Sequence, residues 1–322
     1  MARRAVHLGG VSVAVDISPH LVARVRRLTR RPPPADDNES QFVFLDPLPA
    51  LNFEERDPAS ALDFVRPPEG GERPDKPQDA PLAERVEALS WYHTIDLPGG
   101  VVTPGVFDHR PLLSRYGLPA DLTGKRALDA ASFDGFWAFE LEKRGATVTS
   151  LDIDRVSRFD LPGPVRDQMA REGLDRTHDA NRNFALAHEA LGSKVDRIIE
   201  SIYDLNPEKH GTFDFVHMAD VLLHLESPTR ALRALRSVCG SKALIVDSFS
   251  PELDDINPGA GRIVRYFGGW HDLIWWNPSL STLAQMVVDA GFRNVRLHGC
   301  YRLGKRSDQD QGLWRAILAA EV

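Results

Sequence analysis

Asp129 and Asp152 each close a short apolar run, Arg126 to Asp129 and Ala146 to Asp152. After the first comes Ala130-Ala131-Ser132-Phe133-Asp134-Gly135, a tight turn ahead of Phe136-Trp137. A turn from strand into helix leaves backbone N–H groups facing whatever lies above it. A carboxylate at the end of the next strand can accept from both hydroxyls of a ribose. The pair reads as a site for a nucleoside-containing cofactor. An ordinary strand–turn–helix crossing with a surface acid fits the same residues, because only Gly135 brings backbone freedom to the turn.

Four histidines add proton chemistry. His93, His109, His224 and His271 fall where loops or strand ends are expected to face that turn. Imidazole is the usual base near neutral pH; a structural or surface histidine is the competing reading for each. Asp108 either orients His109 or is a solvent-facing loop acid, and His224, just before a helix, also suits a hydrogen bond to its loop. Trp270-His271-Asp272 has no second histidine at ligand spacing, and no metal is expected. Residues 250–279 form a long insertion containing Tyr266, Phe267, Trp270, Trp275 and Trp276. These aromatics either stack on a sugar, an aromatic metabolite or a base, or form a satellite cluster under the loop.

The elements that must position these groups alternate from about residue 83 onward. Strands are expected over Arg126–Asp129, Ala146–Asp152, Val195–Glu200, Phe213–Ala219 and Ala243–Asp247, and late strands over Phe292–His298 and Trp314–Ala319. Helices are expected over Pro81–Ser90, Phe136–Arg144, Arg182–Leu191, Pro228 to about Cys239 and Leu280–Ala290. Gly145, Gly192 and Gly291 follow three of them, and Ser227-Pro228 opens another as N-cap and first-turn proline. Alternation of this kind implies a parallel sheet covered on both faces. The two late strands, with no helix between them, imply an antiparallel pair at one edge.

Residues 1–82 differ. Arg4–Leu8 and Val11–Val15 read as two short strands around Gly9-Gly10, and His20–Arg31 as a basic helix stopped by three prolines. Residues 1–34 carry seven arginines and one acid, residues 35–87 are rich in acids, and a Pro/Gly-rich linker is expected near 66–82. A small extension is one reading, a substrate-covering or RNA-contacting appendage the other. The domains expected are 1–82 and 83–322. Over all 322 residues, 39 Lys and Arg against 46 Asp and Glu give a net charge of −7, which excludes a broadly basic nucleic-acid-coating protein. No apolar run approaches the roughly 18 residues of a membrane span, and the N-terminus reads as neither signal nor anchor. Only Cys239 and Cys300 are present, which points to a reducing, cytoplasmic setting.

The segments Trp91-Tyr92-His93-Thr94-Ile95, Thr103-Pro104-Gly105, Phe107-Asp108-His109-Arg110-Pro111 and Ser132 to Trp137 carry a resemblance, joined by Asp220 to Leu225, Trp275-Trp276 and Ala290-Gly291-Phe292. Residues 88–320 resemble the class I S-adenosylmethionine-dependent methyltransferases. More narrowly, they resemble the family of the tRNA wobble 5-hydroxyuridine carboxymethyltransferase and its uncharacterised relatives. The resemblance implies a Rossmann-like α/β fold, with a mostly parallel seven-stranded sheet, helices on both faces and a small N-terminal extension. It places Asp129, Ala131, Ser132, Phe133 and Gly135 in the loop that cradles the methionine end. It gives Asp152 and Ile153 to the ribose and Ile202 and Tyr203 to the adenine, with core packing as the other reading of Tyr203. Met218, Ala219 and Asp220 fall under the methionine.

Ala131 and Phe133 stand where glycines are usual, so either the backbone there keeps φ below zero or affinity falls. His93 is the favoured base, with Asp108, His109 and His224 as further catalytic candidates. Trp91, Tyr92, Tyr266, Trp270, His271, Trp275 and Trp276 are candidates for the acceptor side. The tRNA enzyme holds the extra carboxylate of its donor with a Lys, a Tyr and an Arg. His93, Leu223 and Gln311 align with them, so plain S-adenosylmethionine is the expected donor. The leading expectation is methylation of a hydroxyl on a sugar or natural product. A tRNA-modifying methyltransferase and a non-catalytic binder with a degenerate loop are the alternatives. A small-molecule acceptor is favoured over nucleic acid.

Overall fold

A computed structural model describes residues 7–8, 11–12, 56–62, 66, 76–256, 262–270, 272–305 and 308–322. The chain divides into two units, Met1–Arg56 and Asp57–Val322. In the first, β1 (His7–Leu8) pairs antiparallel with β2 (Val11–Ser12), inside the two strands expected there. The helix expected over His20–Arg31 lies outside the described residues, as does most of the linker expected at 66–82.

The second unit opens with α1 (Pro58–Ala61) and α2 (Leu82–Glu87), then β3 (Arg126–Ala130), α3 (Phe136–Lys143), β4 (Thr147–Asp152), α4 (Gly163–Glu172), α5 (Asp179–Leu191) and β5 (Asp196–Ile199). It continues with α6 (Pro207–His210), β6 (Phe213–Ala219), α7 (Pro228–Val238), β7 (Cys239–Phe249), α8 (Glu252–Ile256), β8 (Val264–Tyr266), β9 (Trp276–Pro278), α9 (Leu280–Asp289), β10 (Arg293–Lys305) and β11 (Asp308–Glu321). Seven strands form one sheet in the order β10-β11-β7-β6-β3-β4-β5. From β7 to β5 all neighbours are parallel, whereas β11 runs antiparallel to both β7 and β10. This is the expected Rossmann-like sheet with its late antiparallel pair.

The period of two along each strand assigns the faces. Leu128 and Ala130, Val216 and Met218, Ala243 and Ile245 turn to one core, with Leu232, Leu235 and Val238 of α7 and Leu283 and Val287 of α9. Ala127, Phe215, Leu244 and Val246 turn to the other, against Phe136, Trp137 and Phe139 of α3 and Phe184 and Ala187 of α5. In α7 the apolar residues recur at helical spacing while Arg230 and Arg233 lie on its exposed side. Burying each of its two leucines contributes about 1.5–3 kcal/mol. Ser227 and Pro228 open α7 as expected, but the Ser227 hydroxyl makes no capping bond; its backbone N–H donates to the Tyr203 hydroxyl instead.

A third cluster joins Ala61 and Leu62 to Val156, Leu161, Val165, Met169 and Leu273. Residues 58–62, expected in the extension, therefore pack with the residues around α4.

Candidate functional site

The sheet's sequence order reverses between β3 and β6, and a crevice at such a switch point is the usual ligand site of an open α/β sheet. The registers bring the strand ends to one edge: Ala130 opposite Leu151 and Met218, and Asp152 opposite Ile199. The turn after β3, the carboxylate ending β4 and the turn after β5 thus share one rim.

The first turn keeps the glycine-type backbone without the glycines. Ala131 has φ 58°, Phe133 53° and Gly135 94°. The alternative with φ below zero at 131 and 133 does not hold, and each side chain there costs roughly 1–2 kcal/mol. Gly135 cannot be replaced: a Cβ would stand 2.7 Å from the Phe139 and Phe184 rings. Between the strained residues, the Ser132 hydroxyl donates to Asp129 Oδ2 at 2.6 Å, and the Phe133 N–H donates to Asp152 Oδ2 at 2.5 Å. Met218 is fully buried beneath, and Asp220, past the end of β6, takes φ 51°.

These residues fit S-adenosylmethionine. Asp152 is 8% exposed at the rim and takes the Ile153 N–H on its other oxygen. Beside it, His178 Nδ1 and Arg197 Nη1 are buried polar atoms without a partner among the described residues, and Arg197 Nη2 is 3.8 Å from the carboxylate. Phe133 meets the His178 ring edge-on at 4.9 Å and Tyr92 at 4.8 Å. After β5, the Ser201 hydroxyl caps the turn Ile202–Asp204. Ile202 is core, and Tyr203 donates to Asp160 Oδ2 at 2.5 Å beneath the Arg230 guanidinium. An open cleft of about 580 Å³ lined by Phe159, Asp160, Ile199, Ser201 and Asp204 adjoins this turn.

His93 is bound into the same loop. Asp134 Oδ2 accepts the N–H groups of Tyr92 (3.1 Å) and His93 (2.8 Å), and its Oδ1 makes a short contact with His93 Nδ1. The His93 carbonyl accepts the Thr103 hydroxyl at 2.7 Å. Gly105 lies flat on that peptide; a Cβ there would stand 2.1 Å from the His93 carbonyl carbon. The His109 ring is 5.1 Å from His93, with Nδ1 buried and unpartnered among the described residues. Burial, then His93, Arg315 and His217, hold its imidazole well below the ordinary 6.5, so it is neutral.

Arg315 of β11 grips Asp220 through Nε at 2.7 and 2.8 Å, and the pair raises the pKa of Arg315 against the cost of burial. Burial, then Asp220, raise the pKa of Tyr92. Asp247 accepts the N–H groups of Val221, Leu222 and Leu223. Burial and the nearby Asp220 push its carboxyl up to about 7, against the pull of backbone N–H groups.

Other expected residues are engaged in bonds of their own. Asp108 gives its oxygens to Arg110 Nε (2.8 Å) and Nη2 (2.7 Å). His224 meets the Leu273 carbonyl of the insertion, not its own loop, through Nδ1 at 3.1 Å, and burial lowers its pKa. Three tryptophans are fastened by their indole N–H: Trp91 to the Val86 carbonyl (2.9 Å), Trp275 to Asp160 (2.7 Å) and Trp276 to Leu225 (2.9 Å). Trp270 packs on the third cluster and Tyr266 is 65% exposed on the β8–β9 hairpin. His271 lies outside the described residues. Reasoning from sequence missed Asp134, His178, Arg197, His217 and Arg315. The one available signal was charge or imidazole at positions where an apolar strand or a helix start needs none.

Among the described residues, no helix is long and apolar enough to cross a membrane, and no cluster of His, Cys, Asp and Glu suits a metal ion. A family profile described as "Methyltransferase domain" matches residues 108–297. A ubiquinone biosynthesis O-methyltransferase of Xanthomonas euvesicatoria pv. vesicatoria (strain 85-10) is 28% identical over 118 residues, 37% of this chain. The chain spans 40% of the length of that relative. Among solved structures, the N-terminal domain of EvdMO1 with SAH bound superposes with a TM-score of 0.52 at 17% identity, over 75% of this chain and 95% of that one. The same domain in the presence of SAH and D-fucose gives 0.52 at 15% identity, over the same shares. The fold and the matched profile together establish that this chain belongs to the S-adenosyl-L-methionine-dependent methyltransferases of class I.

Proposed function

We propose that the protein methylates a hydroxyl of a small molecule, a sugar or a natural product, with His93 taking the hydroxyl proton. The observation that carries this reading is the Asp134 clamp, which fixes an imidazole to the loop assigned to the cofactor. When bound, S-adenosylmethionine supplies an electrophilic methyl group on a sulfonium. His93 would take the proton that the acceptor hydroxyl gives up as it receives the methyl group. A carboxylate only accepts hydrogen bonds, so the Nδ1 proton faces Asp134 and Nε2 is the basic nitrogen. Asp152 would hold the ribose, the turn at Ile202-Tyr203 the adenine, and Ser132 with Met218–Asp220 the methionine. Neutral His109 and the Tyr92 ring would wall the methyl path; alignment of donor and acceptor there supplies much of the rate.

Two resemblances support the acceptor class: the relative's name is that of an O-methyltransferase, and the EvdMO1 domain was crystallised in the presence of D-fucose. The test is SAH formation from S-adenosylmethionine with a panel of sugars and phenolic natural products. His93→Ala should lower turnover by about 10²–10⁴-fold, the range of general base catalysis, while SAH affinity changes far less. Equal losses in both would make His93 a binding residue.

A further inference from the structure

The turn assigned to the cofactor holds two non-glycine residues at positive φ, Ala131 and Phe133, with Ser132 between them. Ser132 is tied down on three sides. Its N–H donates to the Leu151 carbonyl at 3.1 Å, its carbonyl accepts the Gly135 N–H at 2.9 Å, and its hydroxyl donates to Asp129 Oδ2. The chain of contacts continues inward. Asp129 Oδ1 meets His217 Nδ1 at 2.7 Å, and His217 Nε2 meets the Tyr116 hydroxyl at 3.1 Å. Ser132, Asp129, His217 and Tyr116 are each no more than 1% exposed. The carboxylate can only accept, so the Nδ1 proton faces Asp129, while Nε2 meets the Tyr116 hydroxyl, which burial keeps protonated. Tyr116 is stacked on Trp137 at 4.0 Å and the His217 ring lies 5.1 Å from the same indole, which leaves neither ring room to turn.

Resting on the reading that this turn binds the cofactor, we propose that His217, backed by Tyr116, is a positioning residue. It fixes Asp129, Asp129 fixes Ser132, and Ser132 holds the strained turn in its binding shape. Glycines at 131 and 133 would hold that shape unaided; this sequence holds it with a buried relay.

The test is a double-mutant cycle read by calorimetric titration with SAH. In the natural background, His217→Phe should weaken SAH binding by about 10–50-fold and Tyr116→Phe by about 3–5-fold, the scale of coupled neighbours. Combined with Ala131→Gly, which removes part of the strain, His217→Phe should cost less than about 3-fold. A purely structural histidine would lower the unfolding midpoint with no such rescue, so an equal loss of affinity in both backgrounds overturns the proposal. If His217→Phe does not fold, Tyr116→Phe loosens the same relay at its outer end, and an equal loss of affinity with and without Ala131→Gly there overturns it equally. Failure of the natural protein to bind SAH at all overturns the cofactor reading, and the relay with it.

Discussion

An ionised carboxylate offers about four lone-pair sites, and Asp152 gives two to the N–H groups of Phe133 and Ile153. Arg197 stands behind it, held by Asn181 Oδ1 at 2.9 Å and laid over the Phe184 ring at 4.2 Å, so the carboxylate is aimed as well as charged. The sites that remain suit the two hydroxyls of a ribose. Asp152→Ala removes those charge-assisted bonds and frees the Phe133 N–H, so SAH should bind about 1–3 kcal/mol more weakly in calorimetry. An unchanged Kd would mean the ribose is held elsewhere. Both this acid and the turn before it were legible in the sequence, because each ends an apolar run. Arg197 and His178 were not, because a single arginine in a short strand and a histidine ahead of a helix carry no pattern of their own.

At the scale of elements, legibility follows how much of an element's burial comes from its own pattern. Phe213–Ala219 reads directly because its apolar residues are dense and local. By contrast, α4 buries only Val165 and Met169, partly against Leu62 and Leu273 about a hundred residues away on either side, so its own apolar pattern is sparse and only Pro164 and the C-cap Gly173 mark it locally. The β8–β9 hairpin has strands of three residues, too short for a period, and the residue ahead of β9 is held by hydrogen bonds as well as by burial. The Trp275 N–H donates to the Leu223 carbonyl at 2.7 Å, and its indole N–H reaches Asp160, which also receives Tyr203. Trp275 is thus the tie between the insertion and the turn proposed for adenine. Trp275→Phe, which keeps an aromatic ring of smaller size but orphans the Asp160 carbonyl, should cost about 1–3 kcal/mol in chemical denaturation. Trp275→Ala, which also opens a cavity, should cost about 3–5 kcal/mol. If the two cost the same, the hydrogen bond is the whole of the tie and the packing contributes nothing.

Over the whole molecule, buried groups displaced from their ordinary titration range make stability depend on pH. His109, His178 and His224 are each held below 6.5, first by burial. Below pH 6.5 the unfolded chain takes up protons at these three positions more readily than the native chain does, so their contribution is present above 6.5 and lost as pH falls. Asp247 works the other way: its native carboxyl titrates at about 7 against 3.8 when unfolded, so its contribution is present at low pH and lost as pH rises through about 7. Among these groups the unfolded state binds up to 3 − 1 = 2 more protons once pH has fallen about a unit below 6.5, so stability should climb with pH there by at most roughly 2–3 kcal/mol per unit. Asp247→Asn removes the opposing proton and should steepen the climb, to at most about 4 kcal/mol per unit. The amide also turns its NH₂ toward one pair of backbone N–H groups, lowering stability at every pH; the slope, not the offset, tests the titration. Denaturation midpoints between about pH 5 and 6.5 measure both, and an unchanged slope would show that Asp247 is already ionised in the native protein. The consequence reaches the site, because the carboxyl that titrates near neutrality holds the Val221–Leu223 turn, and that turn follows directly on Asp220 and its Arg315 partner.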